Sequence, residues 1–409
     1  SAPGECPCAS RPEPGMRESD CGLLLTSGRG KRKEITKRLF VPDPNCAQNQ
    51  FSGPVSSPKR ETTDFLRGIL PSVMSQMRFN PITLDWVIMA PERALKPDDF
   101  LHGKKGLPPR PAHRDDCPFC VGNEHLAPEE ICRASAADGS WMARVIPNKY
   151  SAFIATDDLQ RKSRGTFRSM AAAGAHEVVI EHPQHDLSLV DMAPSHLAII
   201  LRLYLQRYRA LREQPNVESI VIFKNHGERA GTSLEHSHSQ ITATPVVSSQ
   251  VYMRLQEARR FHEFNGACLY CEVLREELEA GERIIEASDS FVAFLPYASL
   301  SPYHLWIFPR QHASSFDSIS DDDVVDLAGV LSRQLHRLAA AAGDPDYNFT
   351  IRSAPVGEST SCCFHWYLSV VPRMNHLAGF ELGSGSYINS MRPEFCAERM
   401  RRAVVDEIS

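Results

Sequence analysis

Two imidazoles separated by one serine, His236-Ser237-His238, with Gln240 two positions further on, form the densest group of reactive side chains in the sequence. A neutral imidazole nitrogen is nucleophilic near pH 7, where a serine hydroxyl is not, so a histidine here could attack phosphorus. In an extended segment alternate residues face one side, which predicts that His236, His238 and Gln240 project into a common site. Gly227 and Gly231 let backbone approach a ligand closely, and Asn225 and Ser233 can donate hydrogen bonds to phosphate or ribose.

His238 is free for such an attack if His236 is otherwise engaged, and the cysteines indicate how. Two Cys-x-x-Cys pairs are each followed by two histidines: Cys117 and Cys120 by His185 and His236, Cys268 and Cys271 by His312 and His365. The histidines of the two sets lie 51 and 53 positions apart, a repeat that isolated buried thiols would not produce. Each Cys2His2 set supplies four protein ligands and no open position, the pattern of a structural rather than a catalytic zinc, so two zinc ions per chain are expected. The second repeat has Tyr367 where the first has His238, so it is expected to carry metal without a nucleophile. The remaining cysteines, Cys6, Cys8, Cys21, Cys46, Cys132, Cys362, Cys363 and Cys396, have no evident partner.

The elements that must position these groups are short β-rich runs, at residues 86–89, 177–181 and 220–224, and two amphipathic helices. Residues 195–212 place Leu197, Ile200, Leu201 and Leu205 at helical spacing, and residues 321–341 do the same with Val324, Leu327, Leu331, Leu335 and Leu338. Each helix falls between the middle and late histidine of its set, as two copies of one α+β unit would require. Residues 1–75 differ: they are rich in Pro, Ser, Gly, Lys and Arg with poor apolar periodicity, and are expected to be a mobile extension whose basic run, Arg29, Lys31, Arg32 and Lys33, is an ordinary solvated segment.

At 409 residues the chain is long enough for two domains, and its 42% apolar and 23% charged content is that of a globular protein. The net charge of -5 lacks the basic footprint of a nucleic-acid or anionic-membrane binder, so neither partner is expected. No apolar run approaches the roughly 20 residues that span a bilayer, and there is no secretory-type start, which predicts a cytoplasmic protein. In that compartment the cysteine pairs point to metal rather than to disulfides.

The sequence resembles the galactose-1-phosphate uridylyltransferase family of the histidine-triad superfamily, including plant-type relatives that act as ADP-glucose phosphorylases. The likeness covers residues 79–402 and is carried by Pro91-Glu-Arg93-Ala-Leu-Lys96-Pro97, Cys117-Pro-Phe-Cys120, Val145-Ile-Pro-Asn148, Ile180-Glu-His-Pro-Gln-His185, the block from Asn225 through Gln240, and Gly379-Phe380-Glu381 with the glycines that follow. It implies an α+β fold of two tandem histidine-triad-like units, each an antiparallel sheet packed with helices: residues 76–250 as the catalytic unit and 251–409 as a unit lacking the nucleophile. It further implies that His238 takes up the nucleotidyl group while His236 binds zinc, and that Ser233 and Gln240 contact the reacting phosphate. Arg93, Lys96, Asn148, Asn225 and Gly231 would line the nucleotide site, and Gly379, Phe380 and Glu381 would receive the hexose, across the interface of a homodimer. Two departures stand out: Lys96 where many members have Arg, and Ser237 where the uridylyltransferases have Pro.

The activity so implied is double displacement between a UDP- or ADP-sugar and a hexose 1-phosphate or phosphate. The first reading is a UDP-glucose–hexose-1-phosphate uridylyltransferase, and the alternative an ADP-glucose phosphorylase. Two other readings compete: a histidine-triad hydrolase in which water resolves the nucleotidyl-histidine, and a zinc-containing nucleic-acid or protein interaction module.

Overall fold

The computed structural model describes residues 74–93, 110–357, 362–375 and 378–403; the extension expected at residues 1–75, up to residue 73, and Lys96 lie outside them. A hairpin of β1 (Gln76–Phe79) and β2 (Trp86–Met89) comes first, then a second of β3 (Cys132–Ser135) and β4 (Trp141–Pro147) and a small one of β5 (Lys162–Arg164) and β6 (Phe167–Ser169). Strand β7 (Ala175–Ile180), helix α1 (Pro194–Arg212), β8 (Ser219–His226) and β9 (His238–Thr244) follow. The second half runs α2 (Ser249–Asn265), α3 (Leu269–Ala280), β10 (Ile284–Ala287), β11 (Phe291–Phe294), β12 (Leu305–Pro309), α4 (Asp321–Ala342), β13 (Tyr347–Arg352) and β14 (Tyr367–Pro372). Helix α5 (Gly379–Ser384), β15 (Tyr387–Asn389) and α6 (Pro393–Arg402) close the described chain.

Ten strands form one antiparallel sheet in the order β10-β11-β12-β14-β13-β8-β9-β7-β4-β3. Read outward from its middle, each half has the same order: β8-β9-β7-β4-β3 on one side, β13-β14-β12-β11-β10 on the other. The halves are joined by the β8·β13 ladder, in which Ile351 pairs with Ile222 and Tyr347 with His226. The expected pair of α+β units is therefore present as two five-stranded halves of a continuous sheet.

Helices α1 and α4 cover one face of that sheet, as their spacing predicts. Leu197, Ile200, Leu201, Tyr204 and Leu211 of α1 and Val324, Leu327, Leu331, Leu335 and Leu338 of α4 are buried in one core with Ile222, Ile241, Phe349 and Leu368 of the strands. Each such side chain contributes about 1.5–3 kcal/mol by leaving water, which is why these helices form where they do. Helix α4 starts with a capping box, Ser320 Oγ accepting from Asp323 N at 3.1 Å and Ser320 N donating to Asp323 Oδ2 at 3.3 Å, and stops at Gly343, whose φ of 77° suits a residue without Cβ. Helix α1 starts instead on Pro194, without a side-chain cap.

The other face is treated differently in the two halves. In the second half α2 and α3 cover it, packing Leu255, Leu269, Tyr270 and Leu274 against Trp306, Phe308 and Tyr367. In the first half the Cys117–Cys120 loop packs there, with Phe119 beside Ile146, Val178 and Ile180. A separate three-stranded sheet, β1-β2-β15 with β15 parallel to β2, packs through Val87 and Met89 on Ala298. Among the described residues no helix is long and apolar enough to cross a membrane.

Candidate functional site

Strand β9 begins at His238, so His236 lies in the bend before it rather than in the strand. The expectation that both rings project from one strand into one site is corrected by this: the bend turns His236 towards the cysteines. Phe119 lies edge-on to both rings, its centroid 6.0 Å from that of His236 and 5.4 Å from that of His238.

Cys117, Cys120, His185 and His236 are all buried, with ligand atoms within 4.8 Å of one another. His236 Nδ1 is 3.7 Å from Cys117 Sγ and 3.6 Å from Cys120 Sγ, and His185 Nδ1 is 3.5 Å from Cys120 Sγ. A tetrahedral ion with Zn–S near 2.3 Å and Zn–N near 2.0 Å holds its sulfur and nitrogen ligands about 3.6 Å apart, so the donor set fits zinc in kind and in spacing. The far nitrogen of His236, Nε2, donates to the His182 carbonyl at 2.7 Å, which leaves Nδ1 as the lone pair facing the sulfurs. Burial pushes the His236 imidazole down to about 4, keeping it in the neutral form a metal requires.

The second set is looser. Cys268, Cys271 and His312 gather within 4.8 Å, with Cys271 Sγ 3.1 Å from His312 Nδ1. His365 Nδ1 comes to 3.4 Å from Cys271 Sγ but stands outside that mutually close trio, while the Cys268 thiol is turned to the Cys363 carbonyl at 3.3 Å. Like His236, His365 lies two residues before its strand.

His238 is 6% exposed. Its Nδ1 lies 2.8 Å from the His236 carbonyl oxygen, an atom that can only accept, so Nδ1 carries the proton and Nε2 keeps its lone pair. Burial and the nearby Lys224 ammonium lower its pKa below the usual value, against the opposing hydrogen bond to His236 and the charge of Glu181. The ring is thus held neutral with one nucleophilic nitrogen.

Behind the β9 strand lies a polar network that sequence reasoning missed. Lys224 Nζ, in a residue 1% exposed, donates to Glu181 Oε2 at 2.5 Å, to Ser237 Oγ at 3.0 Å and to the His238 carbonyl at 3.0 Å. Ser237 donates to the same Glu181 oxygen at 2.6 Å, and Tyr204 OH reaches Glu181 Oε1 at 3.2 Å and Ser239 Oγ at 2.6 Å. Burial pushes the Glu181 carboxyl up, but Lys224 and these donors outweigh it and hold it below the usual carboxylate range. The signal was available: Ile220, Ile222 and Lys224 alternate inward along β8, so a lysine there must be buried with a partner.

A third imidazole, His176 on β7, also carried no mark in the sequence. Its Nε2 lies 2.7 Å from Gln240 Oε1, which can only accept, so Nε2 donates there; Ala152 N lies 3.5 Å from Nδ1 and Asn148 Nδ2 3.1 Å from Nε2. Asn148 Nδ2 approaches the same oxygen at 3.4 Å, and Asn148 Oδ1 accepts from Tyr150 N at 2.9 Å. With its oxygen so occupied, the Gln240 amide presents N–H groups to whatever lies before the strand.

The other expected residues are placed as follows. Asn225 is half-buried, its Oδ1 accepting from Asn348 Nδ2 at 2.8 Å, and Ser233 and Gly231 are exposed in the bend before β9. Gly231, φ 85°, opens onto free space, whereas a Cβ on Gly227, φ 86°, would sit 1.9 Å from Asp346 Oδ1. The close approach expected of Gly227 is therefore to an internal carboxylate and not to a ligand. Arg93 ends the short Pro91–Arg93 helix beside β2, where Ala90 N donates to Asn389 O of β15. Gly379, Phe380 and Glu381 open α5 just before β15, with Glu381 Oε2 accepting from Ala378 N at 3.0 Å as a helix cap. The small sheet thus groups Arg93 with Gly379, Phe380 and Glu381. Among the described residues no hydrogen bond or ion pair links that group to the His238 strand.

Comparison with known proteins places this geometry. Residues 32–248 match the family described as galactose-1-phosphate uridyl transferase, N-terminal domain, and residues 144–408 match a domain of unknown function. An ADP-glucose phosphorylase of Arabidopsis thaliana is 37% identical over 331 residues, 80% of this chain and 92% of that protein. The chain belongs to the galactose-1-phosphate uridylyltransferase family. The crystal structure of an Arabidopsis thaliana ADP-glucose phosphorylase with bound ADP-glucose superposes with a TM-score of 0.70 at 34% identity, covering 81% of this chain and all of that one. A galactose-1-phosphate uridylyltransferase of Thermotoga maritima is 27% identical over 347 residues, 81% of this chain and 100% of that protein. As a member of this uridylyltransferase family the chain is a nucleotidyltransferase-like enzyme, with two His/Cys clusters, one of which shares a bend with the buried imidazole of His238.

Proposed function

We propose that this chain is a nucleoside-diphosphate-hexose phosphorylase that moves an adenylyl group from ADP-glucose to inorganic phosphate through His238. The observation that carries the reading is the hydrogen bond from His238 Nδ1 to the His236 carbonyl, which leaves Nε2 as the one unprotonated nitrogen of that ring. His238 Nε2 forms a bond to the α-phosphorus of the nucleotide sugar, and the bond from that phosphorus to the bridging oxygen breaks, releasing glucose 1-phosphate with the electron pair. Phosphate oxygen then attacks the adenylyl-histidine, the P–N bond breaks, and ADP leaves while the ring recovers its lone pair. N–H groups of Gln240, oriented by His176, and the Ser233 hydroxyl stabilise the charge gathering on the non-bridging oxygens. Asn148 and Asn225 hold the nucleotide in the same reading.

Zinc held by Cys117, Cys120, His185 and His236 would supply no chemistry to these steps, since a four-ligand site is closed, and would fix the bend that carries the nucleophile. Residues 76–250 form the catalytic unit and 251–409 its companion without a nucleophile. Arg93, Gly379, Phe380 and Glu381 complete the substrate site from a second copy of the chain, and Lys96, outside the described residues, is assigned to the same site.

Adenine replaces the uridine expected first because the relative with 37% identity is named an ADP-glucose phosphorylase, against 27% for the uridylyltransferase. Intact-mass measurement after mixing with ADP-glucose or UDP-glucose tests this: an AMP adduct, absent in His238→Ala and discharged by phosphate to ADP, is expected. A UMP adduct discharged by galactose 1-phosphate would restore the uridylyl reading, and no adduct with either sugar would remove the mechanism.

A further inference from the structure

The two halves pair their strands in matching registers. In the first half the β8·β9 ladder ends at Phe223 opposite Gln240, so Asn225 falls opposite His238 two residues beyond. In the second half the β13·β14 ladder puts Arg352 opposite Tyr367. Arg352 and Tyr367 therefore occupy the places of Asn225 and His238. A cavity opens there, lined by Arg352, Tyr367, Arg254 of α2 and Tyr270 of α3.

Its polar lining is dominated by two guanidiniums and two phenols. Tyr270 is 1% exposed, and its hydroxyl is sealed from solvent with no hydrogen-bond partner. Arg254 Nε is likewise buried and unpartnered. The two guanidiniums act on each other with like charge, and Asp85, the carboxylate that opposes Arg352, does so through space without a hydrogen bond. Two half-buried guanidiniums of like charge beside a sealed hydroxyl are best satisfied together by an anion. Planar guanidiniums with a phenol form a fork that matches tetrahedral oxyanions.

We propose that the second half holds a phosphate-sized oxyanion, inorganic phosphate or the head of a phosphomonoester, between Arg254, Arg352 and the Tyr270 hydroxyl. The site is separate from His238 and holds its ligand without covalent chemistry, and it does not depend on which nucleotide the first half takes.

Equilibrium dialysis of the full-length, zinc-loaded chain against labelled inorganic phosphate tests it. One equivalent of bound phosphate per chain, additional to any held as acceptor at His238, is expected to weaken at least about tenfold in Arg254→Gln and in Arg352→Gln, while adduct formation at His238 stays at the unsubstituted level. Displacement of this equivalent by methyl phosphate would extend the site to phosphomonoesters; retention against methyl phosphate would confine it to the inorganic ion. Phosphate binding unchanged by both substitutions would overturn the proposal. Should either variant fail to fold, tungstate soaked into crystals of the unsubstituted chain decides the matter: an anomalous peak between Arg254 and Arg352 supports the site, and a peak elsewhere or none overturns it.

Discussion

The two halves share a strand order and differ in what covers one face. In the second, α2 and α3 lie over the strands and an aromatic cluster fills the interface, with Trp306 stacked 5.4 Å from Phe308 and Tyr367 4.8 Å from Phe308. In the first, a short cysteine loop occupies that face and leaves His238 beside Phe119. The position of buried Lys224 on β8 corresponds to Ile351 on β13 by the same register, so an ion pair in one half is plain hydrocarbon in the other. A duplicated unit can in this way carry a buried ion pair in one copy and hydrocarbon at the same position of the other.

The contrast is open to attack at several points. The largest effect is expected from His238→Ala, which should lower turnover on the order of 10⁴-fold or more, as removal of a covalent nucleophile does, with the fold intact by circular dichroism. Next, Cys117→Ser and Cys268→Ser should each lose one zinc per chain by elemental analysis, but only Cys117→Ser should also lose the His238 adduct; equal loss of adduct in both would erase the distinction between the halves.

Breaking one side of the buried ion pair, Lys224→Met, should cost about 3–5 kcal/mol of stability in denaturant melts. Because the Glu181 pKa is depressed, its contribution is complete above the usual carboxylate range and fades as pH falls through the depressed value, so the acid limb of the stability curve should flatten in this variant. His176→Phe, which frees the Gln240 carbonyl to turn, should lower kcat about 10–100-fold with the melting midpoint little changed. The smallest effect, about 1 kcal/mol, is expected from Ser320→Ala, which removes the capping box of α4; α1, which lacks one, offers no equivalent.

Much of this contrast was legible in residue order. The Cys/His sets, the span of both long helices, and Tyr367 in the place of His238 follow from spacing alone, since metal ligands and helix faces obey fixed periods. What could not be read was long-range register: that β8 pairs with β13, and so makes one sheet of two units, depends on contacts between segments more than a hundred residues apart. His176 carried no spacing signal, being a single histidine in a strand, and Glu181 is a lone carboxylate whose partner, Lys224, lies 43 positions away. Gly227 pointed to a ligand because a glycine shows that something comes close, not what.

His236 is bound at three points at once: Nδ1 to the sulfurs, Nε2 to the His182 oxygen, and its own carbonyl to the neighbouring ring. A disturbance of the cysteine loop is passed through one residue's backbone to the proton that decides which nitrogen of His238 can react. Oxidation of Cys117 or Cys120 would then silence the proposed nucleophile without touching it, so loss of activity under oxidising conditions should precede, rather than follow, loss of fold.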